Sequence, residues 1–388
     1  MKTLLWLKFL LVLIFLQGCG YVLQPGSERA SDFKGKAMSE EYPHTVSREE
    51  RVAGALMGFL IGDAMGLGTH WYYDRKDFEK DFGLWVDDYQ NPAEQGNHSF
   101  KTISKFRYQQ GVRAGDVSQT GQIFALLLES VTEKKSFAQA DFHQRLDGFF
   151  KTLNGESYSG RYTESIIKEL WHNQKKGVAW SSPEMATASD TSDGAQFSVV
   201  LAALYKDPLE LAEAADRLMK PFFNDRFIRQ NQVVYALTLQ AVIAGTPLRK
   251  LKEYMVGLLQ NPDLKVLMGG YDNIHTVTNG AVAWKPEVRI EPAHYVGEVY
   301  GLDCQLTHLL PAVYYLIHRF PADYTQGMLA AVNSGGNNMA RAAMTSALLG
   351  AMNGLGAIPK KYIDGLKDHN RYLQLSRELI KVRQSSGS

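Results

Sequence analysis

Cysteine is almost missing from this chain: Cys19 and Cys304 are its two in 388 residues. A disulfide framework is therefore excluded as the basis of the fold, and no His/Cys spacing of the zinc-binding kind occurs. Charge of one sign is missing as well. Lys and Arg number 42 against 41 Asp and Glu, for a formal net charge of +1, so the chain has no basic footprint for nucleic acid. Long apolar runs are absent from the start of the chain. The run Phe9–Leu16 falls short of the roughly 20 residues that span a bilayer. A fixed-period repeat is absent, which excludes a solenoid. Strand-like alternation is scarce; Val266–Met268 and Val288–Ile290 are its best short candidates.

What remains is ordinary globular material, 45% hydrophobic and 21% charged, with ample length for a large core. The first residues read as an address. Lys2 and Lys8 precede the apolar run, and Gln17-Gly18-Cys19 follows it. A basic start, a short apolar stretch and a small residue before the cut describe a secretory signal. Gly18 before Cys19 resembles a bacterial lipoprotein processing box, which implies residues 1–18 as a signal peptide and lipid on the Cys19 thiol. A plain secretory signal or an uncleaved anchor are the alternatives. Residues 19–46 show no helical or strand period and read as a flexible tether, which puts the protein on a cell-envelope membrane surface.

From Arg48 the pattern turns helical. Val52, Leu56, Phe59 and Leu60 recur at spacings of three and four, interrupted by Gly54, Gly58, Gly62 and Gly66. Glycine costs about 1 kcal/mol against alanine inside a helix, so this density implies close helix–helix approach. Helical patterns recur over Gln119–Val131, Ala138–Thr152, Arg161–Asn173, Ala195–Tyr205, Leu209–Met219, Phe227–Ala244, Leu248–Leu259, Gln305–His318, Tyr324–Val332, Asn338–Asn353 and Tyr362–Val382. The expected fold is one all-α, multi-helix orthogonal bundle over residues 47–383. A low-complexity tail at 384–388 follows, and Gly83–Gly115 is an irregular stretch long enough to read as functional.

Oxygen-bearing side chains concentrate at four helix ends. They are Gly62-Asp63-Ala64-Met65-Gly66 with His70-Trp71-Tyr72-Tyr73-Asp74, Asp116-Val117-Ser118-Gln119-Thr120, Ser189-Asp190-Thr191-Ser192-Asp193-Gly194, and Asn333-Ser334-Gly335-Gly336-Asn337-Asn338. Hard oxygen donors suit Mg²⁺ or Mn²⁺ rather than zinc. Each segment also reads as ordinary capping of a helix start, or, for Gly335-Gly336, as a helix stop.

The order of the four segments resembles the ADP-ribosylglycohydrolase superfamily, all-helical hydrolases with a binuclear magnesium or manganese site. The resemblance rests on Val52–Gly58 with Gly62–Gly66, on Asp116–Thr120, and on Ser334–Arg341 with the small-residue helix through Gly350. The run His70–Asp74 points to the divergent branch with lens-crystallin and selenoprotein relatives. The resemblance implies Asp63, Asp116 and His70 as catalytic residues. It implies Asp116, Ser118, Asn337 and Asn338 as metal ligands, with Asp190, Asp193, Gly335 and Gly336 on the substrate. The family's Thr-Asp-Asp-Thr and Gly-Gly-Asp blocks are altered here, and Asn337 and Asn338 stand where charge is expected. Fewer charged ligands weaken capture of a divalent ion. The readings open at this point are a degenerate metal-dependent glycosidase acting on an ADP-ribose-type N- or O-glycoside, an inactive ligand-binding or structural protein on the same scaffold, and a metal-free hydrolase using a carboxylate pair.

Overall fold

The structure is a computed structural model that describes residues 41–95, 101–153 and 161–385. The expected leader, Cys19, the tether up to residue 40 and residues 386–388 lie outside the described part. Its helices begin with α1 (Arg48–Leu67), α2 (Arg75–Phe82), α3 (Lys101–Gln109), α4 (Gln119–Lys134), α5 (Gln139–Thr152) and α6 (Ser165–Lys175). The middle of the chain forms α7 (Asp193–Leu204), α8 (Pro208–Met219), α9 (Arg226–Ile243), α10 (Leu248–Leu258), α11 (Pro262–Met268) and α12 (Tyr271–Asn279). The last are α13 (Val296–Tyr300), α14 (Leu306–Arg319), α15 (Tyr324–Val332), α16 (Asn338–Asn353), α17 (Lys360–Gly365) and α18 (His369–Ser385). Among the described residues no strand forms, and none of these helices is long and apolar enough to cross a membrane.

The glycines of α1 have the purpose their density implies. Gly54, Gly58, Gly62 and Gly66 form a stripe that faces Gly350, Ser346, Ala342 and Met339 of α16, so the two helices run antiparallel. A Cβ on Gly58 would lie 2.2 Å from the Ser346 carbonyl oxygen, and one on Gly62 would lie 2.4 Å from that of Ala342. Only a side chain of hydrogen lets the backbones meet, and the dispersion gained over four turns offsets the helix-propensity cost. The crossing is pinned by buried Arg51, whose Nη1 donates to the carbonyls of Ala351 at 2.9 Å and Met352 at 2.6 Å. A cation there answers the negative end of α16.

Six sequence expectations change. Residues 41–46, assigned to the tether, pack on the domain: the Tyr42 hydroxyl donates to Thr246 O at 2.5 Å, and Glu41 accepts from the amide of Leu248 at 2.9 Å. Val266–Met268 closes α11 instead of forming a strand, because Asn261 caps that helix and Gly269, at φ 77°, ends it. Val288–Ile290 is no strand either; the Ile290 amide donates to the Tyr315 hydroxyl. The irregular stretch Gly83–Gly115 holds α3, and the single helix expected over Tyr362–Val382 is broken at Asp368, whose φ is 59°. The final helix also runs on to Ser385, past the expected domain end at 383.

Candidate functional site

The starts of α4, α6, α7 and α16 converge beside the end of α1. At α4, Ser118 is an ordinary N-cap: its Oγ accepts from the Gly121 amide at 3.1 Å. The same hydroxyl donates to Asp63 Oδ1 at 2.5 Å, and the Ser118 amide donates to Asp63 Oδ2 at 2.7 Å. Two residues on, Thr120 Oγ1 donates to Asp193 Oδ1 at 2.9 Å, and Thr191 donates to Oδ2 at 2.7 Å. The starts of α6 and α16 differ. Glu164 and Asn337 occupy their N-cap positions, yet neither side chain caps its helix. They meet each other instead, with Asn337 Nδ2 donating to Glu164 Oε1 at 3.0 Å. Glu164 Oε2, Asn337 Oδ1 and Thr163 Oγ1 are buried without a hydrogen-bond partner among the described residues. Orphaned buried oxygens are costly in a fold that otherwise satisfies its polar groups.

The electrostatics follow from burial. Glu164 is pushed well above the usual carboxylate range, first by desolvation, then by the charge of Asp193; the Asn337 amide and Arg107 oppose the shift. Asp193 is pushed up to about 6 by burial against its two hydroxyl donors. Burial thus holds both acids toward their protonated forms. Oε1 accepts the Asn337 amide, which leaves Oε2 as the oxygen open to a proton. Asp63 is also lifted to about 6 by burial. His70 is held neutral by burial and by Arg107, and its Nδ1 lies 3.4 Å from Asn338 Oδ1.

The surrounding side chains are aromatic and acidic. Trp71 takes a left-handed backbone, φ 72°, and stacks on His70 at 5.0 Å between centroids, edge-on to Tyr162. Such a conformation costs a non-glycine residue about 1–3 kcal/mol, and the bridge to Gly336 holds it: the Trp71 amide donates to Gly336 O at 2.9 Å. Tyr73, Asp190, Asp303 and Cys304 are half-buried. Burial and the neighbouring carboxyls of Glu164, Asp190 and Asp303 push the Cys304 thiol up to about 12.

The sequence-derived residues divide. Asp193, Asn337 and His70 lie fully buried in the same region, with Asp190 half-buried beside them. Asp63 lies beside Asp193 but spends both oxygens on Ser118, which makes it a buried support for the start of α4. Asp116 does not join the cluster. Its carboxylate is taken by Arg161 at 2.6 Å, by Lys367 at 2.9 Å and by the Arg113 amide at 2.7 Å. Gly335 and Gly336 act through backbone: Gly336 donates to Tyr72 O at 2.6 Å, and Gly335 O accepts from Arg341 at 3.0 Å.

Three of the four expected ligands are not free for a divalent ion; only Asn337 keeps an open side-chain oxygen. Asp116 is consumed by cations and Ser118 by Asp63. Asn338 donates to Thr69 at 2.7 Å and to Val332 O at 2.8 Å, leaving its oxygen to His70. Among the described residues no group of three or more His, Cys, Asp or Glu side chains could hold a metal. The residue that sequence reasoning missed is Glu164. Placing the helix start at Arg161 hid it inside α6. The available signal was a glutamate directly before the apolar face of Ile166, Ile167 and Leu170, where Ser, Thr, Asp or Asn is the preferred cap.

A family model described as ADP-ribosylglycohydrolase matches residues 44–388. Crystallin J1A of Tripedalia cystophora is 21% identical over 343 residues, covering 86% of this chain and 97% of that one. An uncharacterized protein of Archaeoglobus fulgidus is 22% identical over 334 residues, again covering 86% and 97%. A solved structure titled ADP-ribosylglycohydrolase-related protein complex shares the fold, with a TM-score of 0.60 at 20% identity over 87% of this chain and 99% of that one.

Proposed function

Because the chain belongs to the ADP-ribosylglycohydrolase family, we propose that it is a hydrolase that cleaves an ADP-ribose-type N- or O-glycosidic bond without a metal. One observation carries this reading: the buried Glu164–Asn337 pair, in which Oε1 accepts from Asn337 and Oε2 has no hydrogen-bond partner among the described residues. A carboxylic acid so held is a general acid. The Oε2 proton passes to the leaving nitrogen or oxygen as its bond to the anomeric carbon breaks. Water adds to that carbon, and its released proton returns to the Glu164 carboxylate, so one water is consumed and the enzyme is unchanged. Asn337 fixes which oxygen carries the proton. Asp193, immobilised by Thr120 and Thr191, is the negative neighbour that keeps the proton on Glu164.

The membrane-tethered location belongs to the same proposal and is supported by the leader-like start and Cys19. A second reading, an inactive binding or structural protein on this scaffold, is favoured by the likeness to a crystallin. Release of the leaving group from ribosyl glycosides in excess EDTA separates the two. The hydrolase reading expects turnover in the chelator and a loss of about 10²-fold or more in Glu164→Gln, with folding intact by circular dichroism. Equal rates in the variant would remove Glu164 from the chemistry, and no turnover of any glycoside would leave the binding reading.

A further inference from the structure

Resting on the reading of Glu164 as the acid, we infer that Asp116 and Arg161 are positioning residues that aim it. Glu164 enters α6 from extended backbone, φ −132° and ψ 138°, and its side chain makes no capping bond to that helix. Its direction is therefore set by Asn337 on one side and by the backbone that precedes it on the other. That backbone, Arg161 to Thr163, is fastened by groups from other parts of the chain.

The Gln119 amide, at the first residue of α4, donates to Arg161 O at 2.8 Å. The Arg161 guanidinium returns along the loop before α4: Nη1 donates to Val117 O at 2.7 Å and Nη2 to Asp116 Oδ1 at 2.6 Å. Tyr162 O accepts from Arg107 Nη2 at 2.7 Å. The Asp116 side chain is 1% exposed, and its other oxygen accepts from the Arg113 amide at 2.7 Å. A planar fork closed on a carboxylate that cannot itself turn is a rigid clamp. It joins the approach to α6, which carries Glu164, to the start of α4, where Thr120 holds Asp193. The clamp thus fixes Glu164 relative to both Asn337 and Asp193. Lys367 reaches the same Asp116 oxygen at 2.9 Å from between α17 and α18, a half-exposed contact that does not join α4 to α6. Asp116 so has a part in the reaction unlike the one the resemblance implies: it acts through Glu164 and touches no substrate.

A double-mutant cycle on the full chain tests this, read by glycoside cleavage in excess EDTA. Asp116→Asn and Arg161→Lys should each lower kcat by about tenfold or more with KM little changed, since a displacement of about 1 Å can cost about 10²-fold. Arg161→Lys keeps the charge and loses the fork, so charge alone should not rescue the rate. Lys367→Met, which removes a cation from the same carboxylate, should cleave at the wild-type rate. In Glu164→Gln, adding Asp116→Asn should lower the residual rate no further, because the group it aims is gone. An unchanged kcat in Asp116→Asn, or the same fold-loss in both backgrounds, overturns the inference. Hydrogen exchange followed by mass spectrometry decides the matter without a substrate. Asp116→Asn should speed exchange in peptides spanning residues 117–121 and 161–167 and leave α9 unchanged; equal exchange everywhere, or a rise that includes α9, overturns the inference. The two proposals fail separately. Local loosening in Asp116→Asn with no cleavage of any glycoside by wild type contradicts the hydrolase reading alone, and Glu164-dependent cleavage at full rate in Asp116→Asn contradicts the positioning role alone.

Discussion

Glu164 and Asp63 are both buried acids, and their surroundings give them different work. Asp63 has its two oxygens filled by one serine and so acts as a strut. Its rise from an ordinary 3.8 to about 6 means the folded state holds a proton that the unfolded state releases. Its contribution therefore weakens stability as pH climbs from about 4 to about 6. Urea midpoints across that window should fall less steeply in Asp63→Asn; an identical slope would refute the assignment. Cys304 reports on the acidic groups around it. Alkylation by iodoacetamide at pH 8 should be slow and should quicken in Asp190→Asn, as followed by peptide mass spectrometry; fast alkylation of the wild-type thiol would contradict the field described above. The sequence made Asp193, Asn337 and His70 legible because they sit in short polar clusters at helix ends. Asp116 was misjudged because its partners, Arg161 and Lys367, are remote in sequence. Glu164 was missed because a shift of a few residues in a helix start turns an interior surface residue into a buried acid.

At the scale of elements, the pairing of α1 with α16 was the most legible feature, since four glycines at four-residue spacing have few other purposes. Gly58→Ala should lower thermal stability strongly, because its Cβ would meet the backbone of Ser346 at 2.2 Å and overpacking typically costs about 1–3 kcal/mol or more. Gly148→Ala, in α5 with nothing within 4 Å of the added Cβ, should instead raise stability by up to about 1 kcal/mol. Scanning calorimetry of the two variants checks the contrast, and similar melting temperatures would refute it. The short helices were harder to read. In α2, Phe78 and Phe82 are the only apolar residues among charges, and α11 is a single capped stretch whose valine and leucines mimic a strand. Length and capping decided these elements, where apolar alternation alone was ambiguous.

Over the whole molecule, the fold brings helix starts from widely separated parts of the chain to one place, where in this family's resemblance a binuclear metal centre was expected. This chain fills that place with a carboxyl–amide pair and with hydroxyls already committed to carboxylates. The all-α bundle was legible because helical periodicity runs along most of the chain; the loss of metal fit was only half legible, since the altered blocks showed missing charge but not where the remaining groups would turn. The most direct test of the metal-free acid is the pH dependence of glycoside cleavage in excess chelator, with and without added Mn²⁺. Wild type should cleave in the chelator, slow as alkali strips the Glu164 proton, and gain nothing from Mn²⁺, while the residual rate of Glu164→Gln should show no such alkaline fall. Cleavage that vanishes in the chelator and returns with Mn²⁺ would contradict the account.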